Sequence, residues 1–137
     1  MTVDLLKKSD GLLFLGANAG ELAALLRRIR DDLGVEPPAD YMDLLRHTDG
    51  AIADGLMLYG SRPHPFDEME LPELVSANLE RHEYHEDLAG FLLVGEHDDD
   101  FVAYHPADRL YWLIDRVSGE PMSSAADLQT MLSALLD

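Results

Sequence analysis

The segment 91–117 places the strongest constraint on the fold, because it contains three short runs rich in β-branched and aromatic residues. Polar breaks at 97–100 and 106–109 separate these runs. Runs joined by short polar breaks are typical of β-hairpins, so the segment predicts a three-stranded antiparallel meander. Its strands are predicted at Phe91–Gly95, Phe101–Tyr104 and Leu110–Asp115.

The last predicted strand offers two faces, because successive side chains of a strand point in opposite directions. Leu110, Trp112 and Ile114 share one face, and we predict that this face is buried. A bare three-stranded sheet needs other elements packed on its apolar side. The chain on either side of the meander is therefore expected to supply helices.

Apolar residues at helical spacing, together with cap and stop residues, predict five helices. They are a short helix ending before Asp10, a helix from Asn18 to Leu33, one opened by Pro37-Pro38 that runs to His47, one that follows Leu71-Pro72 and runs to Tyr84, and a last helix capped by Ser123 or Ser124. A further strand is predicted at Leu56–Tyr59, and Ser61–Glu70 is predicted to be an irregular loop.

The order of these elements predicts a single α+β domain over residues 1–137. We expect an antiparallel sheet of about four strands, with the three-stranded meander near the C-terminus and the helices packed on one face or end of the sheet.

Acidic residues dominate the middle of the chain. The net charge is −17, and residues 31–108 contain twenty acids and only three bases. Such a charge repels nucleic acid and anionic membranes and attracts basic proteins or cations, although solubility alone would also account for it. The chain has no cysteine, which excludes disulfides, thiolate metal sites and a cysteine nucleophile.

The N-terminal segment imitates a signal peptide, with Lys7-Lys8 before the apolar run 11–16. The run is shorter than the apolar core of such peptides, and Asp4 and Asp10 interrupt the basic region. We therefore predict a cytoplasmic protein.

Two clusters invite a metal interpretation. His82 and His85 are three residues apart, whereas the zinc-protease helix needs histidines four apart. Asp98-Asp99-Asp100 beside Glu96 could offer oxygen ligands to calcium, but the alternation and glycine of an EF-hand loop are missing. A metal-dependent enzyme remains an alternative, while the sequence itself predicts no catalytic residue, no bound metal and no cofactor.

Several short motifs, taken in order over residues 20–136, resemble the SUKH superfamily of Smi/Knr-like domains. The matching residues are Pro38-Ala39-Asp40-Tyr41, Leu44-Leu45, Gly50, Asp54-Gly55-Leu56, Leu58-Tyr59-Gly60, Leu74 to Asn78, Leu92, Val94-Gly95, Tyr104-His105-Pro106, and Tyr111 to Asp115 before Gly119. The chain departs from the family at Pro37, where leucine is usual, and at His105, where aspartate is frequent.

The resemblance implies an α+β domain without enzymatic activity. Bacterial members of the superfamily are immunity proteins, encoded beside secreted polymorphic toxins that are often nucleases, which they bind and neutralise. The resemblance also implies structural roles: Tyr41 would anchor a helix, Gly50 and Gly60 would turn the chain, and Trp112 would fill the core.

Resemblance and charge together predict an acidic protein that binds a cognate toxin with a basic surface, and that binds neither nucleic acid nor membrane. The alternative is a regulatory or scaffolding module without a toxin partner. The residues predicted to contact the partner are Asp67, Glu68, Glu70, Glu86, Asp87, Glu96, Asp98, Asp99 and Asp100.

Overall fold

The structure is a computed structural model that describes residues 2–136. Its α-helices are Thr2–Lys8 (α1), Ala19–Arg28 (α2), Ala39–His47 (α3), Leu74–Tyr84 (α4) and Leu128–Leu136 (α5). Its strands are Leu12–Leu13 (β1), Ala51–Ala53 (β2), Leu56–Leu58 (β3), His64–Phe66 (β4), Met69–Leu71 (β5), Leu92–His97 (β6), Asp100–His105 (β7), Leu110–Asp115 (β8) and Pro121–Ala125 (β9). A π-helical turn at Ile29–Leu33 extends α2, and a 3₁₀ turn at Glu86–Leu88 follows α4.

The main sheet is antiparallel, and its strands lie in the order β1-β2-β3-β6-β7-β8-β9. The α+β class and the meander of β6, β7 and β8 are confirmed. The sheet described here has seven strands instead of about four, because β1, β2 and β9 were not predicted. These three strands are short or, in β9, lack large apolar residues, so they leave little periodic signal.

Residues Ser61–Glu70 are not the irregular loop that was predicted. They contain β4 and the start of β5, which form a separate two-stranded antiparallel sheet in which His64 pairs with Leu71. The prolines in this segment suggested a loop, but a proline is compatible with a strand that has a free edge. Asp67 adopts a left-handed conformation, φ 50°, and turns the chain between the two strands.

Both faces of the central strands are covered. Four consecutive residues are buried in β6 (Leu92–Gly95) and three in β7 (Phe101–Ala103), and neighbouring side chains of a strand point to opposite faces. Helix α3 lies on one face, where the hydroxyl of Tyr111 donates a hydrogen bond to Asp40 (2.5 Å). The segment after α4 packs against the ring of Phe101 on the other face. The packing thus differs from the predicted placement of the helices on one face or end.

Trp112 is the clearest error in the predicted core. Tyr111 is only 1 % exposed and Ile114 is fully buried, whereas Trp112 is half-buried. Trp112 shares its face of β8 with the fully buried Ile114, but its indole N–H donates to Asp108 (3.2 Å) at the surface. An indole with one apolar side and one polar atom suits such a boundary position.

The helix ends follow local chemistry. Asn18 caps α2 as predicted, and a reciprocal pair of hydrogen bonds with Glu21 forms a capping box. The helical path ends at Gly34, whose φ of 68° favours glycine. The predicted cap of the last helix is wrong: Ser123 and Ser124 lie in β9, and Asp127 accepts the backbone N–H of Thr130 (2.7 Å) instead.

Asn78 connects α4 to the sheet. Its buried side-chain amide accepts the backbone N–H of Leu93 and donates to the carbonyl of the same residue, both at 2.8 Å. The paired residues of β3 and β6 end at Leu58 and Gly95, so the amide supplies the hydrogen bonds that a longer β3 would have made. This contact fixes α4 beside β6.

Candidate partner-binding surface

Three turns of the main sheet lie at the same end of the molecule. They connect β2 to β3, β6 to β7, and β8 to β9. The register places Leu56 opposite His97, His97 opposite Asp100, and Asp100 opposite Asp115, so these residues form a line across the sheet. We call the carboxylates gathered there the acidic sheet end. Its members are Asp54, Asp87, Asp98, Asp99, Asp100 and Asp115.

Direct contacts hold these turns together. The backbone N–H of Asp98 donates to the carbonyl of Gly55 (3.1 Å), and the N–H of Arg116 donates to the carbonyl of Asp99 (3.1 Å). The 3₁₀ turn after α4 joins them, because a Cβ atom added to Gly119 would lie 2.5 Å from the carboxylate of Asp87. Acids that are distant in the sequence therefore share one surface.

The carboxylates of the acidic sheet end are crowded. Burial, the facing charge of Asp115 and the neighbouring Asp99 and Asp98 raise the pKa of Asp100, and His97 opposes this shift only in part. Among residues 2–136, no lysine or arginine forms an ion pair with any of the six carboxylates. The imidazole of His97 lies 3.7 Å from Asp98. The negative charge of this surface is therefore left largely uncompensated.

Glu96 differs from the other predicted contact residues, because the fold already uses its charge. Its side chain is 13 % exposed, accepts the hydroxyl of Tyr59 (2.7 Å) and Arg81 (2.9 Å), and is ion-paired with Arg116. Burial acts to raise the pKa of Glu96, but the Tyr59 hydrogen bond and the two arginines outweigh it, so the pKa lies below its ordinary value. Glu96 connects β6 to α4 and to the turn after β8.

The remaining predicted residues divide between two surfaces. Glu86 is exposed in the same 3₁₀ turn as Asp87, so it lies beside the acidic sheet end. Asp67, Glu68 and Glu70 are also exposed, but they lie on the β4–β5 hairpin. That hairpin packs at the opposite end of the main sheet, where the side chain of Leu71 lies close to Gly50 at the start of β2.

Two members of the surface were missed in the sequence. Asp54 belongs to an Asp-Gly turn between short apolar segments, which is a strong hairpin signal that the prediction of a single strand at Leu56–Tyr59 overlooked. The sequence predicted Asp115 only as the last residue of a strand. Its place opposite Asp100 depends on the strand register, and a single sequence does not give this register before the hairpins are known.

The buried Asp49 and His64 lie together with the partly buried Ser61, away from this surface. Asp49 is fully buried and accepts the N–H of Ser61 (2.8 Å), and it lies 2.7 Å from Nε2 of His64, which is 8 % exposed. The imidazole stacks on the ring of Phe14, with 4.5 Å between centroids. The group joins the end of α3 to the β4–β5 hairpin.

The two histidines considered as metal ligands are engaged separately. His82 is hydrogen-bonded to the backbone of Phe91, and burial nevertheless lowers the pKa of its imidazole. The ring of His85 packs edge-on against Phe101, with 5.4 Å between centroids. Within the described part of the chain, no three His, Asp or Glu side chains are grouped so that they could hold a metal ion.

No helix within residues 2–136 has the length and apolar character required to cross a bilayer. Comparison with models of known protein families finds no family that matches the chain, and a search of curated proteins finds no similar sequence.

Proposed function

We propose that this protein is a non-enzymatic immunity protein of the SUKH type that acts in the cytoplasm. It binds a cognate protein toxin through the acidic sheet end and neutralises it. The toxin presents a basic surface, as nucleases do where they hold nucleic acid, and the bound immunity protein covers that surface.

The observation that carries this proposal is the gathering of unpaired carboxylates by turns from distant parts of the sequence. Asp54, Asp87, Asp98 and Asp99 are exposed, and none of them is paired with a lysine or arginine among the described residues. Acids needed only for solubility would be expected to be spread over the surface. Concentrated on one surface, they produce a field that increases the association rate with a basic partner by tens to about a thousandfold.

The rigidity of the surface also favours binding. The turns that carry Asp54, Asp98 and Asp99 are joined to each other by backbone hydrogen bonds and rest on the buried strands β3, β6 and β7. A surface that is already ordered loses little conformational entropy when a partner binds. Lysines and arginines of the partner would supply the positive charges that the carboxylates of the acidic sheet end lack within the fold.

The function is tested by co-expression with the toxic C-terminal domain of a secreted protein encoded beside this one. We expect cells to survive when both proteins are made, and the two proteins to co-purify. A domain that remains lethal, although this protein is abundant and folded, would refute the proposed function for that pair.

The surface is tested with two triple variants that each remove three negative charges. Asp98→Asn, Asp99→Asn and Asp100→Asn change the acidic sheet end, whereas the control changes the hairpin through Asp67→Asn, Glu68→Gln and Glu70→Gln. Asparagine tolerates the left-handed backbone of Asp98 and Asp67, so both variants should fold. We expect the first variant to lower the association rate at least about tenfold at low salt. An equal or larger loss in the control would place the toxin on the hairpin.

A further inference from the structure

A cavity lies where the π-helical turn Ile29–Leu33 meets α4 and the start of β6. Its volume is about 280 Å³, which is room for about nine water-sized molecules at about 30 Å³ each. The apolar part of its lining consists of Leu33, Val35, Leu79, Phe91 and Leu92. A concave and largely apolar site of this kind suits a small organic molecule.

One wall of the cavity is formed by the π-helical turn, which contributes Asp32 and Leu33. Such turns are rare, and they are found frequently at functional sites. The turn is fixed in the core by Ile29, which is fully buried, while Asp32 stays exposed. The backbone therefore places a carboxylate on the rim of an apolar cavity.

The charges around the cavity favour a positively charged ligand. Arg28 and Arg30, in the same helical segment as Asp32, are ion-paired with Glu73 and Glu36. Within residues 2–136, no lysine, arginine or histidine forms an ion pair with Asp32 itself. The net charge of −17 also repels anions from the whole surface. The carboxylate of Asp32 is thus available to a cation.

His82 supplies a second polar group to the same cavity. Burial lowers the pKa of its imidazole, which is therefore neutral near pH 7. The hydrogen bond to the backbone of Phe91 acts to raise this pKa, so the imidazole donates it and the carbonyl accepts it. A neutral imidazole that donates through one nitrogen accepts through the other. The cavity thus offers a carboxylate and a nitrogen acceptor, which together suit the N–H donors of an ammonium group.

We propose that this cavity binds a small organic amine, in which a protonated amino group is carried on an apolar body. The apolar body packs against Leu79 and Phe91, and the ammonium group reaches Asp32 and His82. Leu79 is 51 % exposed in the free protein, so a ligand that covers it removes apolar surface from water. The cavity includes Leu92 at the start of β6, whereas the acidic sheet end lies beyond the other end of that strand. The amine therefore binds away from the surface proposed for the toxin.

Titrations of the purified protein, followed by the NMR shifts of its backbone amides, test the proposal. The ligands are benzylamine, benzyl alcohol and benzoate, which have nearly the same size and differ in charge. At about pH 7.5 and about 0.15 M salt, we expect benzylamine to saturate with a dissociation constant on the order of 1 mM. Its shifts should be centred on the residues that line the cavity, and benzoate should bind at least about tenfold more weakly. The toxin domain is absent, so the result does not depend on the proposed function.

Asp32→Asn should raise the dissociation constant of benzylamine at least about threefold and leave that of benzyl alcohol unchanged. Asp31→Asn is the matched control, because Asp31 is the exposed neighbour that does not line the cavity. Benzylamine that does not saturate, or benzoate that binds as tightly, would overturn the proposal. So would equal losses in the two variants, because the amine would then respond to the net charge and not to this cavity.

Discussion

At the scale of a single residue, Glu96 shows how ion pairs within the fold occupy an acidic side chain that could otherwise contact another molecule. The nearby Asp98 and Asp99 are exposed, whereas the carboxylate of Glu96 is held between Arg81 and Arg116. The guanidinium of Arg116 also lies 4.9 Å above the ring of Phe101. The charges of Arg81 and Arg116, two of the ten lysines and arginines of the chain, are thus used inside the fold and do not compensate the exposed turns.

Glu96→Gln should therefore lower stability in a way that depends on pH. The pKa of Glu96 is lower in the folded state than in the unfolded state, so its carboxylate stabilises the fold above about pH 4.3, the unfolded value, and loses that effect as the pH falls through the folded value. We expect a loss of about 1–3 kcal/mol at pH 7 that becomes smaller as the pH falls below about 4.3. Urea unfolding at several pH values measures it.

Glu68→Gln is the matched control for this experiment, because Glu68 is exposed on the β4–β5 hairpin. Its free energy of unfolding should change by no more than about 0.5 kcal/mol at any of these pH values. A loss in Glu96→Gln that is equal at pH 3 and pH 7 would contradict the assignment of an ionised Glu96 to its two arginines.

At the scale of elements, the turn between β2 and β3 connects two parts of the acidic sheet end. Asp54 and Gly55 both have positive φ, 41° and 83°, which is the backbone pattern of a tight two-residue hairpin. A side chain on Gly55 would meet the carboxylate of Asp98 across the neighbouring turn. Glycine is thus needed here for its backbone conformation, and an added methyl group would also have to displace the carboxylate of Asp98.

Gly55→Ala should lower the free energy of unfolding by about 1–2 kcal/mol through backbone strain, and further through the contact with Asp98. Gly34→Ala is the matched control, because Gly34 also has positive φ but has no atoms within 4 Å of an added Cβ. The second contribution should disappear when Gly55→Ala is made in an Asp98→Gly background, because glycine keeps the positive φ of residue 98 without a side chain. An equal cost of Gly55→Ala in the two backgrounds, measured by denaturant unfolding, would show that the Asp98 side chain does not contribute.

The elements with strong local signals could be predicted from the sequence. Periodic leucines and the Asn18 cap gave α2, and runs of β-branched and aromatic residues gave β6, β7 and β8. Strand β2, with Ala51–Ala53, and strand β9 have no such signal, because pairing with a neighbour defines them more than their own side chains do.

The candidate surface could be predicted only in part, for a related reason. The run Asp98–Asp100 is visible in the sequence, and it lies on the surface that we propose for binding. Its association with Asp54, Asp87 and Asp115 depends on contacts between turns that lie far apart in the chain. Tertiary contacts of this kind leave no trace in local composition. They also explain why Glu96, which was predicted to contact a partner, is paired with Arg116 inside the fold.

At the scale of the whole molecule, the charge distribution opposes the fold that carries it. The net charge is −17, and pairs such as Asp100 and Asp115 face each other across adjacent strands. Like charges directly opposite in a sheet are destabilising, and a high net charge weakens any compact state. The buried core, with aromatic residues such as Tyr41, Tyr59 and Phe101, must offset this repulsion.

Salt should therefore stabilise the isolated protein while it weakens binding to a basic partner. Raising ionic strength from about 0.01 M to 1 M shortens the screening length from about 30 Å to 3 Å. We expect the Tm to rise by several degrees, since about 1 kcal/mol corresponds to roughly 4 °C for a domain of this size. Thermal unfolding followed by circular dichroism measures the change.

The variant with Asp98→Asn, Asp99→Asn and Asp100→Asn is the control for this effect. It lacks three of the crowded carboxylates, so its Tm in low salt should be higher than that of the wild type and should rise less with salt. A wild-type Tm that falls as salt is added would mean that attractive ion pairs, such as those of Glu96, outweigh the repulsion.

The placement of the exposed carboxylates on turns, with the core on strands, has an evolutionary consequence. Substitutions at Asp54, Asp98 or Asp99 alter the outward charge pattern without changing the packing of β3, β6 and β7. The outward charge pattern can therefore change by small steps on an unchanged scaffold, as the proposed role of binding different toxins would require. Sequence diversity among related proteins should accumulate in the β2–β3 and β6–β7 turns, and the buried residues beneath them should change slowly.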